Sequence, residues 1–177
     1  MYETLAHEGY PGHLYFFNYV KQHGWHPINF FVSNIGFEEG WAEYAARLSL
    51  DSWGLNKDMM EVIFLDQEFS YLLMGLSDIG INYGGWTVDD VYDLWETYFY
   101  LDSAEDVRDV YDACMAEPGT ILSYSIGYYQ ICDLEEEVKE MLGESFDHNE
   151  FVTELLSVGG ASFDITRSYI MEWANEK

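Results

Sequence analysis

Hydrophobic positions recur at helical spacing along almost the whole chain, and no segment shows the alternation typical of a β-strand. Helix-starting and helix-stopping residues divide this pattern into segments. We predict an N-terminal helix carrying His7 and Glu8, followed by helices at about 14–23, 36–53, 56–79, 87–100, 103–116, 119–142, 147–159 and 162–177. Residues 24–34 are predicted to form a loop. The pattern therefore predicts an all-α, multi-helix globular fold, most simply as one domain over residues 1–177.

Local signals support several of these boundaries. Thr87 is a predicted N-cap with acidic residues in the following turn. Ser103 and Asp147 each begin a sequence resembling a capping box. Gly143 is a predicted helix stop.

One heptapeptide, H-E-G-Y-P-G-H at residues 7–13, carries candidate metal chemistry. Zinc-binding helices often place two histidines four residues apart on one face, with a glutamate between them as general base. Here His13 follows His7 by six residues, which is about 240° around an unbroken helix. Pro11 and Gly12 lie in the interval, and a kink or bulge there is expected to return His13 toward His7. Such a heptapeptide also arises by chance, so by itself it leaves metal binding open.

A second acidic segment offers a third ligand. A catalytic zinc takes three protein ligands and keeps one position for water. Glu39 and Glu43 lie four residues apart on one face of the predicted 36–53 helix. Either carboxylate could complete the set with the two histidines, and either could be an ordinary solvated acid.

T-L-A-H-E-G-Y-P-G-H at 4–13 and E-G-W-A-E-Y at 39–44 resemble the bacterial proteins grouped as domain of unknown function 885. These proteins look like zinc metallopeptidases of the gluzincin type. Weaker similarity continues through D-I-G-I-N-Y-G-G-W at 78–86 and E-P-G-T-I-L-S-Y-S-I-G-Y at 117–128. The resemblance therefore covers nearly the whole chain.

The resemblance implies a function and a set of site residues. It favours Glu39 over Glu43 as the ligand that binds zinc with His7 and His13, and it implies hydrolysis of a peptide substrate. Glu8 would be the general base. Tyr124 lies in a motif that the resemblance places near the site, where a phenol can donate to an oxyanion; a core tyrosine is the alternative.

Two residues depart from the family pattern. Asn82 stands where the family usually has histidine, and Ser125 where it usually has lysine or a similar polar residue. Family members are also much longer, so we expect this chain to correspond to the C-terminal part of such a protein. The alternatives are a degenerate or fragmentary domain that binds metal or peptide without turnover, and a helical interaction module in which the heptapeptide is incidental.

The amino-acid composition limits the classes of partner that the chain is expected to bind. The chain has 7 basic and 33 acidic residues, a net charge of −26, which disfavours nucleic acid and anionic membranes. No apolar run is long enough for a membrane span, and the first residues show no signal peptide. Cys114 and Cys132 indicate neither a disulfide framework nor a thiolate metal site. Aromatic residues make up 18% of the chain, and exposed aromatic surface is expected to drive self-association into a homo-oligomer.

Overall fold

The computed structural model describes residues 2–23 and 34–177, and every regular element in these ranges is helical. The all-α prediction is confirmed. Within the described ranges the α-helices are α1 (Tyr2–Glu8), α2 (His13–Gln22), α3 (Ile35–Ser49), α4 (Lys57–Asn82), α5 (Val88–Trp95), α6 (Arg108–Ala116), α7 (Thr120–Leu142), α8 (His148–Val158) and α9 (Phe163–Asn175). Short 3₁₀ turns occupy Leu50–Ser52, Ala104–Val107 and Gly143–Ser145. The loop predicted at 24–34 lies outside the described residues except for Asn34.

The described helices form two compact units. The first comprises Met1–Leu55 and Ile126–Lys177, and the second comprises Asn56–Ser125. Helices α1 to α3, most of α7, α8 and α9 belong to the first unit, whereas α4 to α6 and the start of α7 belong to the second.

Helix α3 lies at the centre of the first unit. Its residues from Gly40 to Ala46 are all buried, which is the expected environment of a helix that is apolar around most of its circumference. The core around it is built from large side chains on several helices. These are Phe16 and Val20 of α2, Phe37 and Trp41 of α3, Ile131, Leu134 and Val138 of α7, Phe151, Leu155 and Leu156 of α8, and Ile170 of α9.

Two glycines let α3 and α7 touch backbone to backbone. A Cβ atom added at Gly40 would lie 2.3 Å from the carbonyl carbon of Gly127. One added at Gly127 would lie 2.0 Å from the carbonyl oxygen of Gly36. This crossing restrains the position of α3 along its axis. It thereby restrains Glu39 and Glu43, which lie within one turn of Gly40 on the same helix.

A buried polar cluster organises the second unit. The Asp78 carboxylate of α4 is 2% exposed and accepts hydrogen bonds from the Gly119 backbone N–H and the Asn82 amide, both at 2.8 Å. Asn82 also donates to the carbonyl oxygen of Cys114 at 3.0 Å. These bonds join α4 to α6 and to the turn before α7. A small apolar core of Ile81, Val91, Val107 and Cys114 packs beside them.

Most predicted helix boundaries are confirmed within a few residues, but three predicted helices are shorter as α-helices. The helix predicted over 36–53 ends at Ser49 and is followed by the 3₁₀ turn Leu50–Ser52. The helix predicted over 87–100 ends at Trp95, because Thr97 and Tyr98 make i→i+3 bonds to Leu94 and Trp95 and tighten the chain into turns. The predicted 103–116 helix likewise begins as a 3₁₀ turn at Ala104–Val107.

The predicted caps are present. Thr87 forms a complete capping box with Asp90, and Ser103 forms one with Asp106. The side chain of Asp147 accepts a hydrogen bond from the Glu150 backbone N–H at the start of α8. α7 ends immediately before Gly143, whose φ of 54° suits glycine.

The crossing of α3 and α7 makes a stability prediction. Gly40→Ala forces a methyl group against the Gly127 backbone and is expected to lower the free energy of unfolding by about 1–3 kcal/mol. Gly36→Ala is the matched control, because its Cβ would meet nothing closer than the Asn34 side chain at 3.4 Å. The control should be neutral or stabilise the helix by up to about 1 kcal/mol. Equal urea midpoints for both variants would contradict this description of the crossing.

Candidate metal centre

The predicted break between the two histidines is present. α1 ends at Glu8 and α2 begins at His13, with a cis peptide bond between Tyr10 and Pro11. The Gly12 backbone N–H donates to the carbonyl oxygen of Ala6 at 2.9 Å, which folds the connection back onto the end of α1. A Cβ atom at Gly12 would lie 1.8 Å from the His7 carbonyl oxygen, so only glycine permits this approach.

The folded-back connection places the two imidazoles together. The ring centroids of His7 and His13 are 4.8 Å apart and the rings are nearly perpendicular, at 86°. Glu39 reaches them from α3: its Oε2 atom lies 3.2 Å from Nε2 of His7 and 3.3 Å from Nε2 of His13. Within the part of the chain that the structure describes, these three residues form the one grouping of potential metal ligands.

The donor set fits a zinc ion. Ligand bonds of about 2.0–2.1 Å in tetrahedral geometry place the ligand atoms about 3.3 Å from one another. The two separations from Glu39 Oε2 match that spacing. Glu39 Oε2, Glu43 Oε1 and His13 Nδ1 are buried atoms of this cluster that all lack a hydrogen bond of normal geometry, although Glu39 Oε2 lies near both imidazoles. A buried carboxylate oxygen left in this way is costly in an all-protein site, and a cation between it and the two nitrogens would satisfy it.

Glu43 takes a different position from Glu39. Its Oε1 atom lies 2.9 Å from Nδ1 of His7, on the side of the ring opposite Nε2. The Glu43 side chain is 6% exposed. A carboxylate on the second nitrogen holds a ligating histidine in the tautomer that leaves Nε2 free to bind a metal. The geometry therefore favours Glu39 as the third ligand and Glu43 as the residue that orients His7.

Burial and the neighbouring charges act in opposite directions on the pKa values of this cluster. Burial lowers the pKa of His7, but the carboxylates of Glu39 and Glu43 outweigh this effect and raise it to about 9. For Glu39, burial raises the pKa, whereas His13 and His7 outweigh it and lower the value to about 2. The carboxylates therefore favour the protonated form of His7, and binding of a metal ion at Nε2 would require that atom to release its proton.

Glu8 lies beside the ligands rather than among them. Its Oε1 atom is 4.0 Å from Nε2 of His7, and its side chain is 67% exposed. This carboxylate is accessible to water and to a ligand arriving from solvent, as a general base must be.

Trp41 is a supporting residue that sequence reasoning did not single out. Its indole N–H donates to the Gly12 carbonyl oxygen at 3.4 Å and ties α3 to the break between the histidines. The sequence did not indicate this role, because Trp41 and Gly12 are 29 residues apart and come together only in the folded chain.

The remaining predicted residues belong to the second unit. The ring of Tyr124 lies 5.2 Å from that of Tyr71. The Asn82 amide donates hydrogen bonds to the Asp78 carboxylate and to the Cys114 carbonyl oxygen. Ser125 is 4% exposed. The nearness of Tyr124, Asn82 and Ser125 to the metal ligands stays a prediction.

The fold and the site together define an all-helical protein with a His/His/Glu grouping next to an exposed glutamate. The chain matches the family described as Bacterial protein of unknown function (DUF885) over residues 1–170, and it belongs to that family.

Two solved structures share its fold. One is a candidate lipoprotein from Colwellia psychrerythraea, with a TM-score of 0.83 and 23% identity over 99% of this chain and 30% of that one. The other is a candidate lipoprotein of unknown function from Shewanella oneidensis, with a TM-score of 0.82 and 23% identity over 96% of this chain and 31% of that one. The chain thus spans about three-tenths of the length of these relatives. No curated protein matches it. In the described residues, no helix combines the length and apolar character needed to cross a bilayer.

The histidine pair makes the first prediction of this site. Protein purified without chelator is expected to carry about one zinc per chain, and His7→Ala or His13→Ala should abolish it, because two ligands cannot hold the ion tightly. Elemental analysis measures the content. His23→Ala is the control, since its Nδ1 lies near the Tyr19 carbonyl oxygen and outside the grouping. Unchanged zinc in either ligand variant would refute the site.

The two glutamates make a second prediction. Glu39→Ala should weaken zinc binding by more than 100-fold, since it removes a ligand, whereas Glu43→Ala should weaken it by about 10–100-fold, the usual effect of losing a residue that orients a ligand. Competition with a chromophoric chelator measures both affinities. If Glu43→Ala produced the larger loss, the third ligand would be Glu43.

Proposed function

We propose that the protein is a zinc-dependent peptide-bond hydrolase in which His7, His13 and Glu39 bind the metal and Glu8 is the general base. The observation that carries the proposal is the approach of Glu39 Oε2 to 3.2 and 3.3 Å from the two imidazole Nε2 atoms. Two imidazoles and one carboxylate are a donor set of catalytic zinc sites, which keep a further position open.

The metal would contribute two effects, polarising the substrate carbonyl and lowering the pKa of water. The chain supplies the remaining parts of the chemistry. Glu8, exposed and 4.0 Å from His7 Nε2, accepts a proton from the attacking water and returns it to the leaving amine. Glu43 holds the orientation of His7 during this exchange.

The charge of the site is consistent with a dication as its ligand. Glu8, Glu39 and Glu43 surround two histidines, so the neutral-histidine form carries an excess of negative charge. The net charge of −26 on the whole chain adds to the attraction for cations. A divalent cation would reduce this local excess of negative charge.

A second candidate function is binding of metal or peptide without turnover. The observation that favours it is Asn82, an amide held by Asp78 and Cys114 where the family usually has a histidine. An amide cannot exchange a proton at neutral pH as an imidazole does. Hydrolysis assays on this chain and on one of the longer family members, both loaded with zinc, distinguish the two functions.

Glu8 gives the decisive variant. Glu8→Gln should retain zinc but lose peptide hydrolysis by at least 100-fold, because the amide cannot accept the proton. The assay uses a broad library of quenched fluorescent peptides, with zinc content measured on the same samples. Glu144→Gln, an exposed acid in the turn after α7, is the matched control and should leave turnover unchanged. Retained hydrolysis in zinc-loaded Glu8→Gln would contradict the proposed base.

A further inference from the structure

An exposed aromatic ring lies beside one of the candidate metal ligands. Phe17 follows His13 by four residues on α2, so the two side chains lie on one face of the helix. Their ring centres are 6.3 Å apart and the ring planes are inclined by 24°. Phe17 is 48% exposed. Its ring is therefore close to the candidate metal centre and open to a molecule that arrives from solvent.

The geometry of α2 directs the Phe17 ring toward the ligands. Side chains of an α-helix point toward its N-terminus and cover the preceding turn. For Phe17 that turn contains His13, the first residue of α2. The Phe17 ring also contacts the fully buried ring of Phe16, at a ring-centre distance of 5.3 Å. The core thus supports the Phe17 ring on one side and leaves part of it exposed beside His13.

A peptide bound at the candidate metal centre would bring a side chain to this ring. Consecutive Cα atoms are about 3.8 Å apart, so the residues on either side of the scissile bond lie close to the ligands. From there a side chain of leucine or phenylalanine size can contact a ring whose centre lies 6.3 Å from that of His13. The contact would remove apolar surface of both partners from water, whereas an alanine side chain would gain little.

We propose that Phe17 forms one wall of an apolar subsite beside the candidate metal centre, which selects peptides with a large apolar side chain next to the scissile bond. This inference rests on the proposed hydrolase function and deepens it by naming the substrate class. Phe17 is a specificity-determining residue in this scheme, since it contacts the substrate side chain and neither binds the metal nor transfers a proton.

Binding of two hydroxamates to the zinc-loaded protein tests the subsite without turnover. Acetohydroxamate presents a zinc-binding group with a methyl group, and phenylpropanohydroxamate presents the same group with a phenyl ring. Isothermal titration calorimetry is expected to give at least about 10-fold tighter binding of the phenyl compound, the usual scale of selection by an apolar pocket. Phe17→Ala should remove most of this preference, whereas Phe17→Leu, which keeps an apolar side chain, should retain most of it.

Leu14→Ala is the matched control. Leu14 is also an exposed apolar residue of α2, at 58%, but it lies about 100° around the helix from His13. The preference for the phenyl compound should be unchanged in this variant. Circular dichroism checks folding, and Phe17→Gln, which keeps the length of the side chain but ends it in an amide, carries the test if Phe17→Ala loses helicity.

A purely structural role of Phe17 would give a different result. If the ring only supported His13, Phe17→Ala would weaken zinc binding in competition with a chromophoric chelator and would weaken both hydroxamates by the same factor. That result would overturn the subsite. Equal affinity of the unsubstituted protein for the two hydroxamates would overturn it as well.

Hydrolysis of peptides that differ only in Phe or Ala beside the scissile bond separates the subsite from the proposed function. A phenyl preference that Phe17→Ala removes, without hydrolysis of any peptide, would refute the hydrolase and support the apolar subsite. Hydrolysis of both peptides at equal kcat/KM would refute the subsite and support the hydrolase. A protein that binds no zinc, or neither hydroxamate, would refute both.

Discussion

The candidate metal centre depends on the close approach of Gly12 to the carbonyl oxygen of His7. A side chain at this position would begin 1.8 Å from that oxygen, so the chain can return on itself only with glycine there. The return converts a separation of about 240° on an unbroken helix into two rings whose centroids lie 4.8 Å apart. The indole N–H of Trp41 donates a hydrogen bond to the Gly12 carbonyl oxygen and so connects this break to α3. The contacts of Glu39 and Glu43 with the imidazoles depend on the ring positions that this break produces.

α3 supplies the rest of the centre because it is held rigidly in the core. Gly40 contacts the backbone of α7. Glu39, just before it, lies near Nε2 of His7, and Glu43, three residues after it, lies near Nδ1 of the same ring. A helix that is buried over most of its length resists the small displacements that would loosen such a site. The neighbouring carboxylates raise the pKa of His7 to about 9, so binding of a metal ion at its Nε2 atom would be coupled to release of a proton.

Local sequence signals predicted the helices, the break and the candidate ligands. The break followed from Pro11 and Gly12, whose backbone properties act within a few residues. The choice between Glu39 and Glu43 could not follow from their spacing, because both occupy one helix face and only tertiary packing shows which nitrogen each approaches. The end of α5 at Trp95 was missed for a similar reason, since a tightening to i→i+3 bonds carries no strong stop residue. Asn82 was interpreted from a motif, whereas its bonds to Asp78 and Cys114 join residues up to 32 positions apart.

X-ray absorption spectroscopy of the zinc-loaded protein tests most directly whether His7, His13 and Glu39 bind zinc. We expect a first coordination shell of nitrogen and oxygen atoms at about 2.0–2.1 Å, with the outer-shell scattering of two imidazoles. The Glu43→Ala variant should show the same number of imidazoles. A shell containing sulfur at about 2.3 Å, or one without imidazole scattering, would contradict this ligand set.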